Sequence, residues 1–452
     1  MRETLVKSEE FKDSPLGKIP TGWDVVSIDE IAIYVGSGIT PRGGSNVYQK
    51  EGILFIRSQN VTFNGLRLDD VAYIDNRTHE SMKRSEVFAH DVLLNITGAS
   101  IGRCCPVPPG LEAANVNQHV CAIRLPNPNR EDAIFLSSVL ASYIGQSQID
   151  RLNAGGNREG LNYEQLRAFV IPFPPPNERA SIAKILETVD ETIAHTSSLI
   201  AKLKQMKAGL LHDLLTRGLD ENGELRDAIG QPEQFKDSPL GRIPKDWKIL
   251  PLTSLTQYIT YGFTNPMPTT KDGPWMVTAF DIADGKICYE QARHTSEKAY
   301  KNDLTHKSKP DLGDILITKD GTLGRIAVVD RIDICINQSV ACLRPLPDTD
   351  VKFLVHYLRS EQGQERMLAD AEGSTIKHIY ITKLAQMEVP IPPREEARKI
   401  SDILDSHNTR IRTEEAYRDK LKLQKQGLMH DLLTGKVRVK DADKFTPASD
   451  TV

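Results

Sequence analysis

The sequence predicts an α+β fold built twice: two tandem α+β domains separated by two long antiparallel coiled-coil helices, pseudo-two-fold and nearly circular. Three observations lead there. The first is an internal duplication: FKDSPLGKIP at Phe11–Pro20 returns as FKDSPLGRIP at Phe235–Pro244, and Trp23 and Trp247 follow at the same spacing. The second is the order of further matches. Asp91, Gly98, Gly102 and Arg103 answer to Asp314, Gly321, Gly324 and Arg325, Asn117-Gln118 to Asn337-Gln338, and GLLHDLLT at Gly209–Thr216 to GLMHDLLT at Gly427–Thr434. The third is a change of periodicity after each proline-rich stretch, from broken short runs to one long helical pattern. A repeat this long makes each copy a domain, not a solenoid unit.

Within each copy, short apolar runs such as Ile53–Ile56 and Ile315–Ile317 are bounded by Gly, Asn and Pro, which reads as strands and turns. Apolar residues recurring at three and four predict a helix over Ala133–Ile149 and another over Lys352–Leu368. The segments Pro172–Pro176 and Pro390–Pro393 then close the domain, since proline fixes φ and ends the preceding element. Beyond them Ile182, Ile185, Val189, Leu199, Leu203 and Leu210 step by helical spacing, as do Ile400, Leu404, Ile411, Leu421, Leu428 and Leu432. Gly218 and Gly435 stand where a helix C-terminus wants glycine. A helix of about 40 residues is roughly 60 Å long, more than one domain needs, so its apolar seam calls for a second helix and the other copy supplies one. The expected boundaries are a first domain over 1–176, a helix over 177–217, a linker over 218–234, a second domain over 235–393, a helix over 394–434 and a tail over 435–452, of which 436–452 has no counterpart in the repeat.

The two copies match closely at their ends and hardly at all over Ile28–His90 against Leu252–Leu312. One scaffold therefore presents two different surfaces. Charged residues are 26% and hydrophobic ones 39% of 452 residues, and no apolar run is long enough to span a bilayer; with an acid-containing N-terminus, a cytoplasmic protein is expected. The net charge of −4 argues against a simple nucleic-acid binder and predicts weak binding to DNA without a partner that supplies phosphate contacts. The six cysteines form no C-x-x-C pair and no zinc spacing.

No catalytic motif stands out, and no metal site is expected. Phe173–Pro176 and Ile391–Arg394 carry the prolines of an adenine-methyltransferase loop without its polar and aromatic flanks. Gly36-Ser-Gly38 runs into Thr40-Pro41, where a cofactor-binding loop would open a helix, and no G-x-x-x-x-G-K-[ST] occurs. Pro347-Asp348 with Asp350-Val-Lys352 is too tight for a metal nuclease and reads as a turn.

Two α+β domains, each followed by a long helix ending in G-L-[LM]-H-D-L-L-T, resemble the specificity subunit of type I restriction–modification enzymes. Gly38-Ile-Thr-Pro41, the Asp–Gly–Gly-Arg series, the Asn-Gln pairs, and Val170–Pro175 followed by Glu178-Arg179 carry the likeness. The second copy has Gly262–Pro266 with one residue inserted and Glu395-Glu396 where the first has Glu178-Arg179. The resemblance implies two target recognition domains, each reading one half of a split, asymmetric site in double-stranded DNA. It implies helices that act as a ruler and dock two methylation subunits. Those partners bind S-adenosylmethionine, and motor–nuclease subunits use ATP and Mg; the chain itself is expected to carry no cofactor and no catalytic residue.

Base edges are read by Arg, Lys, Asn, Gln, Ser and Thr delivered from loops. The candidates are Thr40, Arg42, Arg57, Gln59, Asn60, Asn157 and Arg158 in the first domain, and Thr264, Asn265, Thr278, Lys319, Thr375 and Lys377 in the second. Gly98, Gly102, Gly321 and Gly324 recur in both copies and so read as a shared turn; Asn117-Gln118 and Asn337-Gln338 read as structural or phosphate contacts for the same reason. Leu210, His212 and Leu214, with Leu428, His430 and Leu432, are the candidate partner-docking residues. The competing reading is a protein–protein scaffold whose domains never touch DNA.

Overall fold

The computed structural model describes residues 5–7, 10–153, 160–369 and 378–439. The chain forms two compact units, one of Met1–Ser198 with Glu414–Val452, the other of Leu199–Thr413.

In the first unit a four-stranded antiparallel sheet runs in the order Cys104–Pro106, Val92–Asn95, Val120–Arg124, Tyr34–Ser37. A second sheet runs Glu86–Val87, Ala114–Val116, Ile53–Ile56, Ala72–Ile74, with its two middle strands parallel. Val92–Asn95 is buried at every position because it is covered on both faces. Val92 and Leu94 join the core beneath the helices, whereas Leu93 joins the core beneath the second sheet. Each such side chain withdrawn from water contributes roughly 1.5–3 kcal/mol. Asp91, at the start of that strand, is buried and takes the guanidinium of Arg124 at 2.7 and 2.8 Å.

The second unit repeats this plan. Its sheet runs Thr256–Tyr261, Val340–Pro345, Ile315–Thr318, Ile326–Val328, and a three-stranded sheet contains the parallel pair Thr270–Val277 and Ile334–Ile336. Ile315 and Ile317 face one core and Leu316 the other. Asp314 and Arg344 repeat the buried ion pair, at 2.7 Å.

Each helical stretch expected over 133–149 and 352–368 is broken in two: Arg130–Ala141 and Tyr143–Asn153 in the first unit, Val351–Arg359 and Glu361–Leu368 in the second. The break falls at a serine each time. Ser142 Oγ donates to Val139 O and accepts from Ile144 N, and Ser360 Oγ donates to Tyr357 O and accepts from Gly363 N. The hydroxyl caps one helix and starts the next, an option apolar periodicity does not reveal. The side chain at the start of the second helix then holds the glycine turn of the sheet: Gln146 Nε2 donates to Gly102 O and Gln364 Nε2 to Gly324 O, both at 3.0 Å.

The long helices span Pro176–Thr216 and Arg394–Leu433. In the first unit Ile182, Ala183 and Leu186 share a core with Leu432 and Leu433, and Lys425 Nζ meets Asp190 at 2.6 Å. In the second unit Leu214 and Leu215 share a core with Ala397, Ile400 and Leu404. Contacts pair 178 with 438 and 190 with 425 in the first unit, and 219 with 396 in the second, where Arg412 lies beside Lys207. Numbers rise on one segment as they fall on the other, so the segments are antiparallel in each unit.

Each helix ends against a tryptophan. Gly435 and Gly218 have φ of 68° and 63°, which favours glycine, and a Cβ at either would stand 2.3 Å from Pro20 Cγ or 2.2 Å from Glu396 Oε1. Trp23 and Trp247 are fully buried beside them and donate their indole N–H to Glu178 (2.9 Å) and Glu396 (3.1 Å). Glu396 is thus the counterpart of Glu178, and the sequence reading that sets the pair Glu395-Glu396 against Glu178-Arg179 is one residue out of register. The start of the tail has a counterpart too, contrary to the sequence reading. Val437–Val439 pairs antiparallel with Leu5–Lys7, and Arg438 binds Glu178 as Arg226 binds Glu396. Two arginines in unlike sequence surroundings do one job, which the linear repeat conceals.

Candidate nucleic-acid interface

Three loops meet on each unit. The first is a 3₁₀ turn, Ser58–Asn60 or Ala279–Asp281, that follows one strand of the parallel pair. The second is the glycine turn at Thr97–Ser100 or Asp320–Thr322. The third is the loop Asn117–His119 or Asn337–Ser339, where Asn117 Oδ1 accepts His119 N and Asn337 Oδ1 accepts Ser339 N, each at 3.1 Å. They enclose a groove of about 380 Å³ in the first unit and about 640 Å³ in the second. The backbone plan is shared and the lining differs: Gln59 against Phe280, Thr97 against Asp320, His119 against Ser339.

A chain of polar side chains leads from outside the first groove to two residues of its lining, His119 and Thr97. Thr40 Oγ1 donates to Gln118 Oε1 (2.5 Å), and Gln118 Nε2 donates to His119 Nε2 (2.8 Å). His119 Nε2 is therefore an acceptor, so Nδ1 carries the proton and donates to Thr97 Oγ1 at 2.5 Å. The Thr97 hydroxyl hydrogen is left for an outside acceptor. Arg103 lines the same groove, exposed and with no side-chain partner among the described residues. In the second groove Asp320 receives Lys319 Nζ (2.9 Å) and His378 Nδ1, and these partners hold its carboxyl below the usual range against the opposing effect of burial. Arg293 and Gln291 supply donors, and Phe280 is 83% exposed at the mouth.

The sequence candidates fall unevenly on this geometry. Gln59 lines the first groove; Thr40 lies outside the lining and is linked to His119 through Gln118; Arg42 is exposed two residues on. Arg57 is half-buried, reaching Asp70 at 3.5 Å and lying over the Tyr48 ring. Asn60 is corrected: it is 1% exposed, its oxygen accepts Arg57 N and its nitrogen donates to Arg67 O and Asp70 O, so it shapes the turn and offers nothing outward. In the second unit Thr264 and Asn265 are exposed, and Thr278 lines the groove while its hydroxyl donates to Asp281. Lys319 is corrected as well: it is 5% exposed, committed to Asp320 and seated over the Tyr261 ring. Asn157, Arg158, Thr375 and Lys377 lie outside the described residues.

Of the docking candidates, Leu214 and Leu432 are each 1% exposed and belong to the cores of their units, which removes them from any docking surface. Leu210 and Leu428 are half-buried against the same cores, and His212 and His430 are exposed. Sequence reasoning missed Thr97, Arg103 and His119, and in the second unit Phe280, Gln291, Arg293, Asp320 and Ser339. One signal was present: positions 119 and 339 directly follow a matched Asn-Gln pair and differ.

Among the described residues no group of three or more His, Cys, Asp or Glu is placed to hold a metal ion, and no helix is long and apolar enough to cross a membrane. Two grooves of one backbone design with unlike linings define a class: a duplicated recognition scaffold. The chain belongs to the family described as the type I restriction modification DNA specificity domain, whose model matches residues 20–205 and again 244–423. It is 25% identical over 444 residues to a putative type I restriction enzyme MjaX specificity subunit of Methanocaldococcus jannaschii, covering 96% of this chain and 98% of that one. It is 26% identical over 393 residues to the EcoBI specificity subunit of Escherichia coli, covering 84% and 78%. A chain solved in work on assembly and conformational transition of a type I R-M system superposes with a TM-score of 0.56 at 18% identity, covering 93% of this chain and 99% of that one. The type I S subunit of M. genitalium gives 0.54 at 16% identity, covering 95% and 99%, and both likenesses support the tandem α+β fold.

Proposed function

We propose that this chain is the sequence-reading subunit of a type I restriction–modification complex, with one recognition domain for each half of a bipartite, asymmetric DNA target. It carries out no chemistry itself. Two methylation subunits dock on its long helices and bring in the motor–nuclease subunits; S-adenosylmethionine, ATP and Mg belong to those partners. The observation that carries this reading is the pair of grooves with matched backbone and unlike lining, since a two-part target with different halves needs two readers of different chemistry. The net charge of −4 fits a reader that relies on partners to neutralise phosphates. Met206 and Leu423, 59% and 69% exposed on the long helices, are apolar surface that a docked partner would cover, with His212 and His430 near the helix ends.

The test is to exchange residues 28–176 for another recognition domain and map the adenines methylated by the assembled complex. One half of the target changes and the other stays. A change in both halves, or binding by the complex that is insensitive to both salt and sequence, defeats the proposal and favours a scaffold that does not touch DNA.

A further inference from the structure

We infer that residues 59 and 280 occupy one base-reading position presented twice: Gln59 reads an adenine edge in one half of the target, and Phe280 reads a thymine methyl in the other. The inference rests on the reading that each domain contacts duplex DNA, and adds the residue and the base.

The backbone makes the two positions equivalent. Each is the middle residue of a 3₁₀ turn that leaves a strand of the parallel pair. The residue before the turn donates its N–H to the last side chain of the turn, Arg57 N to Asn60 Oδ1 (2.9 Å) and Thr278 N to Asp281 Oδ2 (2.8 Å). Asn60 and Asp281 are 1% and 5% exposed, so both turns are pinned from beneath. A pinned turn holds its middle side chain outward at a fixed place, as base reading requires. Both side chains line their groove.

The chemistry at the position differs. Gln59 Nε2 donates to Asp70 Oδ2 at 2.7 Å, which fixes which end of the amide is nitrogen. A second N–H and the free Oε1 remain, the donor–acceptor pair that adenine N7 and N6 accept and donate to. Phe280 has no polar atom, and its ring is 83% exposed beside the donors Arg293 and Gln291. An apolar side chain contacting the major groove finds one apolar feature there, the thymine methyl.

The experiment uses the chain assembled with its methylation partner and a duplex carrying its target. Thymines in the half read by the second domain are replaced one at a time by uracil, which deletes only the methyl. At one position the wild-type complex loses affinity roughly fourfold, the value of one buried methyl, and the Phe280→Ala complex is indifferent to that replacement. Gln59→Ala loses roughly tenfold or more at one adenine of the other half, and 7-deazaadenine there weakens wild type but not the variant. The inference is overturned if no uracil replacement matters, or if either variant loses the same factor on every sequence. Should the wild-type complex prefer no sequence at all, the underlying reading fails and this inference with it; sequence preference that survives both substitutions unchanged sinks the inference alone.

Discussion

Arg438 grips Glu178 with two hydrogen bonds of 2.6 and 2.7 Å, from a position 260 residues further along the chain. The same carboxylate takes the indole N–H of Trp23. Arg226, Glu396 and Trp247 repeat the arrangement in the second unit, with Leu219 N as a further donor at 2.8 Å. Each clasp fastens the segment after the end of one long helix to the first turn of the other. Removing one partner of a buried pair strands the other charge. Arg226→Met should therefore cost the second unit about 3 kcal/mol, with Glu396 8% exposed and left without its guanidinium partner. Urea unfolding followed by tryptophan fluorescence measures it; a loss no larger than the ~0.5 kcal/mol of an ordinary surface change would show the clasp to be incidental.

Gly262 and Gly38 lie against the loops at Asn337 and Asn117, and a Cβ at either would lie 1.8 Å from Ile336 O or 1.5 Å from Val116 O. Gly262→Ala should destabilise its unit by about 1–3 kcal/mol through forced backbone displacement and impair recognition of one half-site only. Gly209 and Gly427, in the long helices, meet nothing within 4 Å. Alanine there should stabilise by about 0.5–1 kcal/mol. Equal effects at 262 and 209 in a thermal denaturation series would contradict the packing argument.

His356 is buried, which pushes its pKa below the usual 6.5 despite the opposing Asp405 carboxylate at 3.0 Å. Between the folded value and 6.5 the unfolded chain binds a proton that the folded chain does not. Stability from this group is therefore complete above about pH 6.5 and is lost as pH falls toward the folded value. Acidification from about pH 7.5 to about pH 5.5 should lower the Tm of wild type more than that of His356→Gln. Identical slopes would remove His356 from the account.

Five cysteines are buried and Cys288 is half-exposed. Burial pushes Cys105, Cys121 and Cys335 up to about 12, and raises Cys104 and Cys342 as well. A thiol reagent at neutral pH should titrate one group, Cys288, in the native protein and all six after denaturation. Rapid reaction of a second native thiol would show that a core opens.

If the long helices act as a ruler, seven residues inserted into one of them add about 10 Å of helix. Mapping of methylated adenines should then find a longer gap between half-sites, or no assembled complex. An unchanged gap ends the ruler idea.

Local chemistry explains which parts of this protein could be read in advance. The all-apolar run Ile315–Ile317 is a strand because both its faces meet apolar layers, and the long helices repeat their apolar residues every three or four positions. Thr40 and Gln59 were recognisable as exposed polar residues in a loop-rich stretch. Asn60 and Lys319 looked the same in sequence, yet one is folded under its turn and the other is held against the Tyr261 ring and Asp320. Residue type states what a side chain can bond; only packing states whether its partner is inside the protein or outside.

The sequence by itself determined the duplication, the α+β class, the two long helices and their closing glycines, because these follow from matching text and short-range periodicity. The tertiary structure decided the clasp and the groove. Trp23 meets Glu178 across 155 residues, and Gln59, Thr97 and His119 come from three separate loops. Contacts between such distant positions leave no periodic trace in the chain, and burial, which separates a reader from a buttress, is a property of the fold.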